Sequence, residues 1–431
     1  MKGTETIKET ANQSGLRPWQ HAAAFLFAFA VIVSRRPDAI FHAQFYAEDG
    51  HFWYAEAYNL GWWPALFHTF GGYFQPLPRL VASLALLAPL STVPLLFNLV
   101  AIFFRVLPVN LLLTSRSSAW GSLQFRIFLA AMYLILPNCT EMSYGLTNAQ
   151  WPLALSTFLL LVAPIPPSRA QRVFDFLIML LCGVTGPFSI FLLPIAVYLA
   201  WKQPDNWRRV PVVIFTLTCI IQSWAMLVLA PAARAHRALG ATPQLFARLL
   251  AGQVYFGALL GTNGLAAQPG PWLTIFLVCV AIGGSVFVLI CALRSPTSIK
   301  LFLAFSAAVF AAGLMNPFEW DHPTVPVWVV YAGVPGLRYW FFPMLGFAWA
   351  LLFGYRSSVA PVKVISVTLL CLMCFGIFRD WRHRTLDETN FAASVQRFQA
   401  APAGSVVSIP EQPQGWNMQL IKHGATQGGP N

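Results

Sequence analysis

"PWLTIFLVCVAIGGSVFVLICAL" runs from residue 271 to 293 without one charged side chain. The hydrocarbon core of a bilayer takes about 20 apolar residues as a helix, so this stretch is long enough to cross. Working outward, similar runs begin near Trp19, Thr92, Phe125, Trp151, Val173, Phe188, Val210, Ile299, Arg338 and Val362. They are continuously apolar and do not alternate, which excludes a membrane β-barrel. The pattern predicts an all-α polytopic membrane protein with about eleven transmembrane helices.

Composition agrees. The 431-residue chain is 57% hydrophobic and 10% charged, whereas a soluble domain carries about 25% charged residues. A net charge of +12 would suggest nucleic acid in a soluble chain, but here the basic residues stand in short loops between apolar runs, as membrane topology requires. Nucleic acid is therefore not an expected partner. With the N-terminus (Lys2, Lys8, Arg17) in the cytoplasm, alternate loops should be basic. "SRSSAWGSLQFR" (115–126), "PIPPSRAQR" (164–172), "KQPDNWRR" (202–209), "RSPTSIK" (294–300) and "GYRSSVAPVK" (354–363) all fall on that side. The C-terminal tail, 379–431, is then external, after a membrane region 1–378.

On the external side lie the stretch 35–91, the loop 138–150, the loop from about Pro231 to Gly270, and the loop 316–340. With the tail, these external segments hold eleven of the fifteen acidic residues, although carboxylates contribute little to topology. Within 35–91, "FQPLPRLVASLALLAPL" (74–90) is bounded by prolines and too short to span, so it reads as an interfacial or re-entrant helix. "EDGHFWYAEAYNLGWWPALF" (48–67) reads as an amphipathic helix at headgroup level.

The external face carries the chemistry. Asp49 can cap the helix it begins, but capping leaves Glu48 unexplained. Adjacent carboxylates in a partly apolar pocket suit a general base with a raised pKa. Arg79 and Arg338 read equally as membrane anchors and as ligands for a lipid phosphate. Glu319, Asp321 and His322 read either as a solvated loop or as groups for a metal or an acceptor. Glu141, Asn148 and Gln150 offer hydrogen bonds to sugar hydroxyls. "CLMC" (371–374) lies inside an apolar run, where small packing residues are the ordinary reading. Phosphate-binding glycine loops, HExxH and GxSxG are absent from the sequence.

"AEDGHFW" (47–53), "GGYFQPLPRL" (71–80) and "LRYWFFP" (337–343) resemble segments of the GT-C superfamily of membrane glycosyltransferases, in bacterial members with no assigned sugar. The resemblance implies a GT-C fold and an inner-membrane location, with N-terminus cytoplasmic and C-terminus periplasmic. It also implies transfer of a sugar from a polyprenyl-phosphate donor to a glycan or lipid acceptor on the periplasmic face, usually with inversion. The family's acidic base falls on Asp49 or Glu48. Arg79, Arg338, Tyr339, His322, Glu319, Asp321, Asn148 and Gln150 are then candidates for binding the substrates. No metal ligand is assigned, and a divalent cation stays open as a cofactor because some members use one. Two other readings stay open: a flippase or transporter of lipid-linked glycans, and a glycan polymerase or ligase.

Overall fold

Residues 271–293 form one helix, Pro271–Leu293, as their unbroken apolarity requires. The computed structural model describes residues 16–230, 238–262, 271–316 and 324–424. A helix stands at each position marked by an apolar run: Pro18–Arg35, Val93–Leu113, Leu123–Ile135, Gln150–Val162, Arg169–Val184, Phe188–Lys202, Asn206–Trp224, Pro271–Leu293, Thr297–Met315, Phe341–Tyr355 and Ala360–Arg379. Of the described segments, 5 are long and apolar enough to cross a membrane: Leu90–Leu113, Asn206–Leu229, Trp272–Leu293, Thr297–Met315 and Ala360–Arg379. Val327–Gly333 and Arg338–Tyr355 would add one more if counted as one span, bent by 81°. Leu123–Ile135 and Phe188–Lys202 are apolar but shorter. The molecule is thus a mostly helical protein with several helices of membrane-crossing length.

Local sequence explains the helix limits. Ser122, Ser168 and Asp205 each accept an amide hydrogen bond from the first turn they precede, satisfying donors that a helix start leaves open. The 81° bend falls at Val334-Pro335-Gly336-Leu337. Pro335 has no amide to continue a helix, and Gly336 adopts a φ of 77°. Beyond the bend, Phe341–Tyr355 is enclosed on all sides, with every residue from Met344 to Gly354 buried. An all-apolar helix belongs in that central place. Trp349 packs there on Trp120 and Phe302, with ring centroids 5.1 and 4.6 Å away.

The helix ends sort into two groups. At one end, His21, Asn110, Thr114, Ala163 and Gln171 line a common cavity. At the other, Arg35 donates to the carbonyls of Leu134, Leu136 and Asp380. Residue 18 and the C-terminal segment therefore lie at opposite ends of the bundle.

The stretch after the first helix folds over this second end. It comprises Asp49–Tyr54, a turn of π-helix, then Ala55–Leu60 and Trp62–Leu66, then a two-stranded hairpin 69–74 and the helix Pro76–Ala85. Gly61, with φ of 91°, breaks the long amphipathic helix expected over 48–67. Trp62, Trp63 and Phe67 remain exposed. The expected loop 231–270 differs more: Pro243–Ala247, Arg248–Phe256 and Gly257–Leu260 form a nearly continuous helical segment. Leu249, Ala251, Val254, Ala258 and Leu259 are buried at helical spacing, so tertiary packing orders this stretch. The tail is also structured. A helix, Phe391–Ala400, precedes an antiparallel pair of strands, Val406–Glu411 and Trp416–Ile421, with Glu411 opposite Trp416.

Candidate functional site

Asp49 does not cap its own helix. Its side chain crosses to the 138–150 loop, where Oδ2 accepts the Leu146 amide at 2.7 Å. Oδ1 accepts the Thr147 amide at 3.1 Å and the Thr147 hydroxyl at 3.2 Å. The capping role is thus exercised on the turn Thr147–Ala149 that leads into the helix Gln150–Val162. Gly145 permits the approach: its φ is 72°, and a Cβ there would lie 3.0 Å from Oδ2. Asp49 is 1% exposed. Burial pushes its pKa up to about 7, against the opposing pull of the Leu146 and Thr147 amides, and Glu48 adds to the rise. Desolvation therefore outweighs the hydrogen bonds. A carboxyl that titrates near neutrality has the proton affinity of a general base.

Glu48 is buried as well. Burial raises its pKa most, Arg338 opposes the rise, and Glu141 adds to it. Arg338 acts on Glu48 through charge alone; its ion pair is with Glu141. The Arg338 amide donates to Glu141 Oε2 at 2.6 Å and its Nη1 to Oε1 at 2.9 Å. This double contact fixes the turn after the 81° bend; the residue sits in a 3-10 turn, Arg338–Trp340, and the regular helix begins only at Phe341.

Arg338, Tyr339, Gln150, Trp151 and Tyr73 line a cavity of about 350 Å³. Its other walls come from Pro187–Phe188, Met226 and Ala312–Asn316. Most of these stand near helix termini at the same end of the bundle, with Tyr73 on the hairpin 69–74, so the cavity opens at that end. Gln150 Oε1 has no hydrogen-bond partner and presses on Gly186, where a Cβ would lie 2.2 Å from it at a φ of 73°. A mostly apolar pocket with a few converging polar groups is the usual form of a small-molecule site.

Arg79 lies apart from this cavity. It is 0% exposed, with Nη1 on Glu56 Oε2 at 2.6 Å. Its guanidinium sits 4.9 Å from the Trp53 ring centroid, while Nε and Nη2 have no partner. Trp53 Nε1 donates to Thr147 Oγ1 at 2.7 Å, and that hydroxyl donates to Asp49. Arg79 and Asp49 therefore share Trp53 and Thr147 as a common wall. A phosphate approaching Arg79 must first displace Glu56. Asn148 uses its amide inside its own loop, donating to the carbonyls of Glu141 and Tyr144 at 2.9 Å each. Glu319, Asp321 and His322 lie outside the described residues. Among the described residues no group of three or more His, Cys, Asp or Glu is arranged to hold a metal ion; Cys371 and Cys374 are exposed on Ala360–Arg379.

One residue of the cluster was not singled out from the sequence. Glu411, in the tail, is 2% exposed and turns its carboxyl onto Gly50, where an added Cβ would lie 2.2 Å from Oε2. Burial raises its pKa well above the ordinary value, and Asp49 and Glu48 raise it further. The Glu411 carboxyl thus lies against Gly50, and the acidic pair immediately before it in the chain acts on it through charge. The only hint in the sequence was "PEQP" (410–413), an acid between two prolines. No protein-family model matches this chain, and neither does any curated protein.

Proposed function

We propose that this chain is a membrane glycosyltransferase of the GT-C type, probing its acceptor with Asp49 and its lipid-phosphate donor with Arg338. The reading rests on a buried carboxyl with a pKa of about 7, whose neighbour Glu48 is under the charge of Arg338, a guanidinium that lines an end cavity of about 350 Å³. In the reaction, the acceptor hydroxyl gives its proton to Asp49 and its oxygen bonds to the anomeric carbon. The bond from that carbon to the carrier phosphate breaks, and the phosphate leaves with the electron pair. A phosphate leaving group needs no strong acid, but its charge needs a preorganised cation. Arg338 supplies it. Attack opposite the leaving phosphate inverts the anomeric centre.

The same reading takes all eleven helices as spans, with the N-terminus cytoplasmic and the acidic site at the periplasmic surface of a bacterial inner membrane. The acceptor is a glycan or lipid at the cell surface. An end cavity supports transfer over transport, because a flippase needs a polar path along the helices. Mass analysis of cell-surface glycans with and without the gene tests the proposal. Loss of one sugar from an otherwise intact glycan is the expected result. Loss of the whole glycan, with its lipid-linked precursors trapped on the inner leaflet, would overturn it in favour of transport.

A further inference from the structure

The C-terminal hairpin is docked onto the acidic turn by contacts along its length. Gln412 bridges to Tyr46 in parallel fashion, its amide donating to the Phe45 carbonyl at 3.2 Å and its carbonyl accepting the Ala47 amide. His51 Nδ1 meets the Asn417 carbonyl at 2.6 Å. Asn59 Nδ2 donates to the Gln419 carbonyl at 2.8 Å, and Asn59 Oδ1 accepts the Ile421 amide at 2.9 Å. These contacts are mostly neutral, and Ile409, Met418 and Leu420 of the hairpin are buried in the core. At their centre sits Glu411, buried, its carboxyl against Gly50, with only the Gly50 and His51 amides to offset its charge.

An ionised carboxylate in that place would be buried beside two other acids with only those amides to offset its charge, a costly state. A protonated carboxyl fits it. We propose that Glu411 is a positioning residue for the acidic turn: its protonated form holds the hairpin 406–421 closed over Asp49-Gly50, and loss of that proton releases the hairpin.

The charged and titratable groups that face Glu411 are Asp49, Glu48 and His51. The two acids oppose its ionisation. His51, at 3.9 Å between Nδ1 and Glu411 Oε1 and 41% exposed, already has its Nδ1 engaged by Asn417. The amides of Gly50 and His51 favour the anion, but less than burial opposes it. The sign follows. The closed form holds the proton more tightly than the open form, whose carboxyl has the ordinary pKa of 4.5. Closure is therefore strongest below that value and weakens as pH rises toward the raised one, by up to about tenfold per pH unit for one proton.

Hydrogen exchange on the full-length protein in lipid nanodiscs reads closure without any substrate. Protection factors, corrected for intrinsic exchange, are followed for 45–52 and 416–421 between pH 5 and 9. The wild type should lose protection as pH rises. Glu411→Gln, neutral and of the same shape, should lose one proton's worth of that slope and stay protected at high pH. Equal slopes in the two proteins would overturn the proposal. If Glu411→Gln does not fold, Gly50→Ala provides the second arm. Its Cβ should expel the Glu411 carboxyl and expose 416–421 at every pH, and adding Glu411→Ala should restore part of the protection. Absence of that restoration would equally overturn the proposal. Closure stands independently of the transferase reading, whereas its effect on transfer rests on that reading. A normal exchange result with no transferase activity would therefore refute only the latter.

Discussion

Replacing Asp49 by Asn separates what this residue does for stability from what it does for chemistry. The folded state holds the Asp49 proton with a pKa of about 7, against an ordinary value of 3.8. The side chain is sealed, so solvent screening removes little of that difference. The raised pKa is a destabilising contribution that is absent below 3.8 and grows as pH rises to about 7. At one unit per 1.36 kcal/mol, it amounts to about 4 kcal/mol above neutrality. Asn cannot ionise and is free of that contribution. It does bring a different one. Both Asp49 oxygens accept amide hydrogen bonds, but Asn has one oxygen, so its NH2 must face either the Leu146 or the Thr147 amide. Leaving one buried donor unsatisfied costs about 1–3 kcal/mol. The variant should therefore be as stable as the wild type, or more stable, at pH 8, and less stable at pH 4. Transfer should nevertheless fall by about 100-fold or more, the scale of a lost general base, equivalent to at least about 2.7 kcal/mol of barrier. Wild-type transfer should rise with pH through a midpoint near 7. The assays are chemical denaturation in detergent at the two pH values, and incorporation of labelled sugar in membrane vesicles. Loss of stability at pH 8 would refute the burial argument. Near-normal incorporation with Asp49→Asn would remove Asp49 from the chemistry, and a dead Glu48→Gln beside it would move the base to Glu48.

Further outcomes are expected. A reporter active only outside the cytoplasm, fused after His423, should be active; activity of a cytoplasm-only reporter there would invert the orientation and the site with it. Arg79→Ala should destabilise the fold by about 1–3 kcal/mol, because it removes a buried guanidinium that pairs with Glu56 and packs on Trp53, while Glu56, 22% exposed, keeps His68; a stability change below about 1 kcal/mol would show that the Glu56 contact is solvated. Gly186→Ala should displace Gln150 from the cavity wall, since the new methyl meets its Oε1 at 2.2 Å; reduced substrate affinity with the fold retained is the expected readout, and unaltered affinity would take Gln150 out of the site.

How much of this was legible in the sequence depends on what kind of constraint fixes each part. The helix positions were legible because an unbroken apolar run such as 271–293 has few other ways to satisfy its backbone in a membrane. The helical segment Pro243–Leu260 was not. It carries Arg248, Gly252 and Gln253 among its apolar residues, and its order comes from packing against helices distant in the chain. The acidic pair was legible as an anomaly of charge, and its burial follows the expectation of an apolar pocket. The partners were not legible. Asp49 is held by amides 97 and 98 residues away, and no local pattern encodes a backbone donor. Glu411 is the sharpest case. Between Pro410 and Gln412 it reads as a solvated acid, and only strand register turns it inward: Ile409 and Glu411 share the buried face of their strand, whereas Val406 and Ser408 are exposed. An acid on that face is tolerable where it stays neutral; burial does most to keep it so, and Asp49 and Glu48 add to that. The pair that the sequence exposes by its scarcity thus reinforces the neutrality of a third acid that the sequence does not single out.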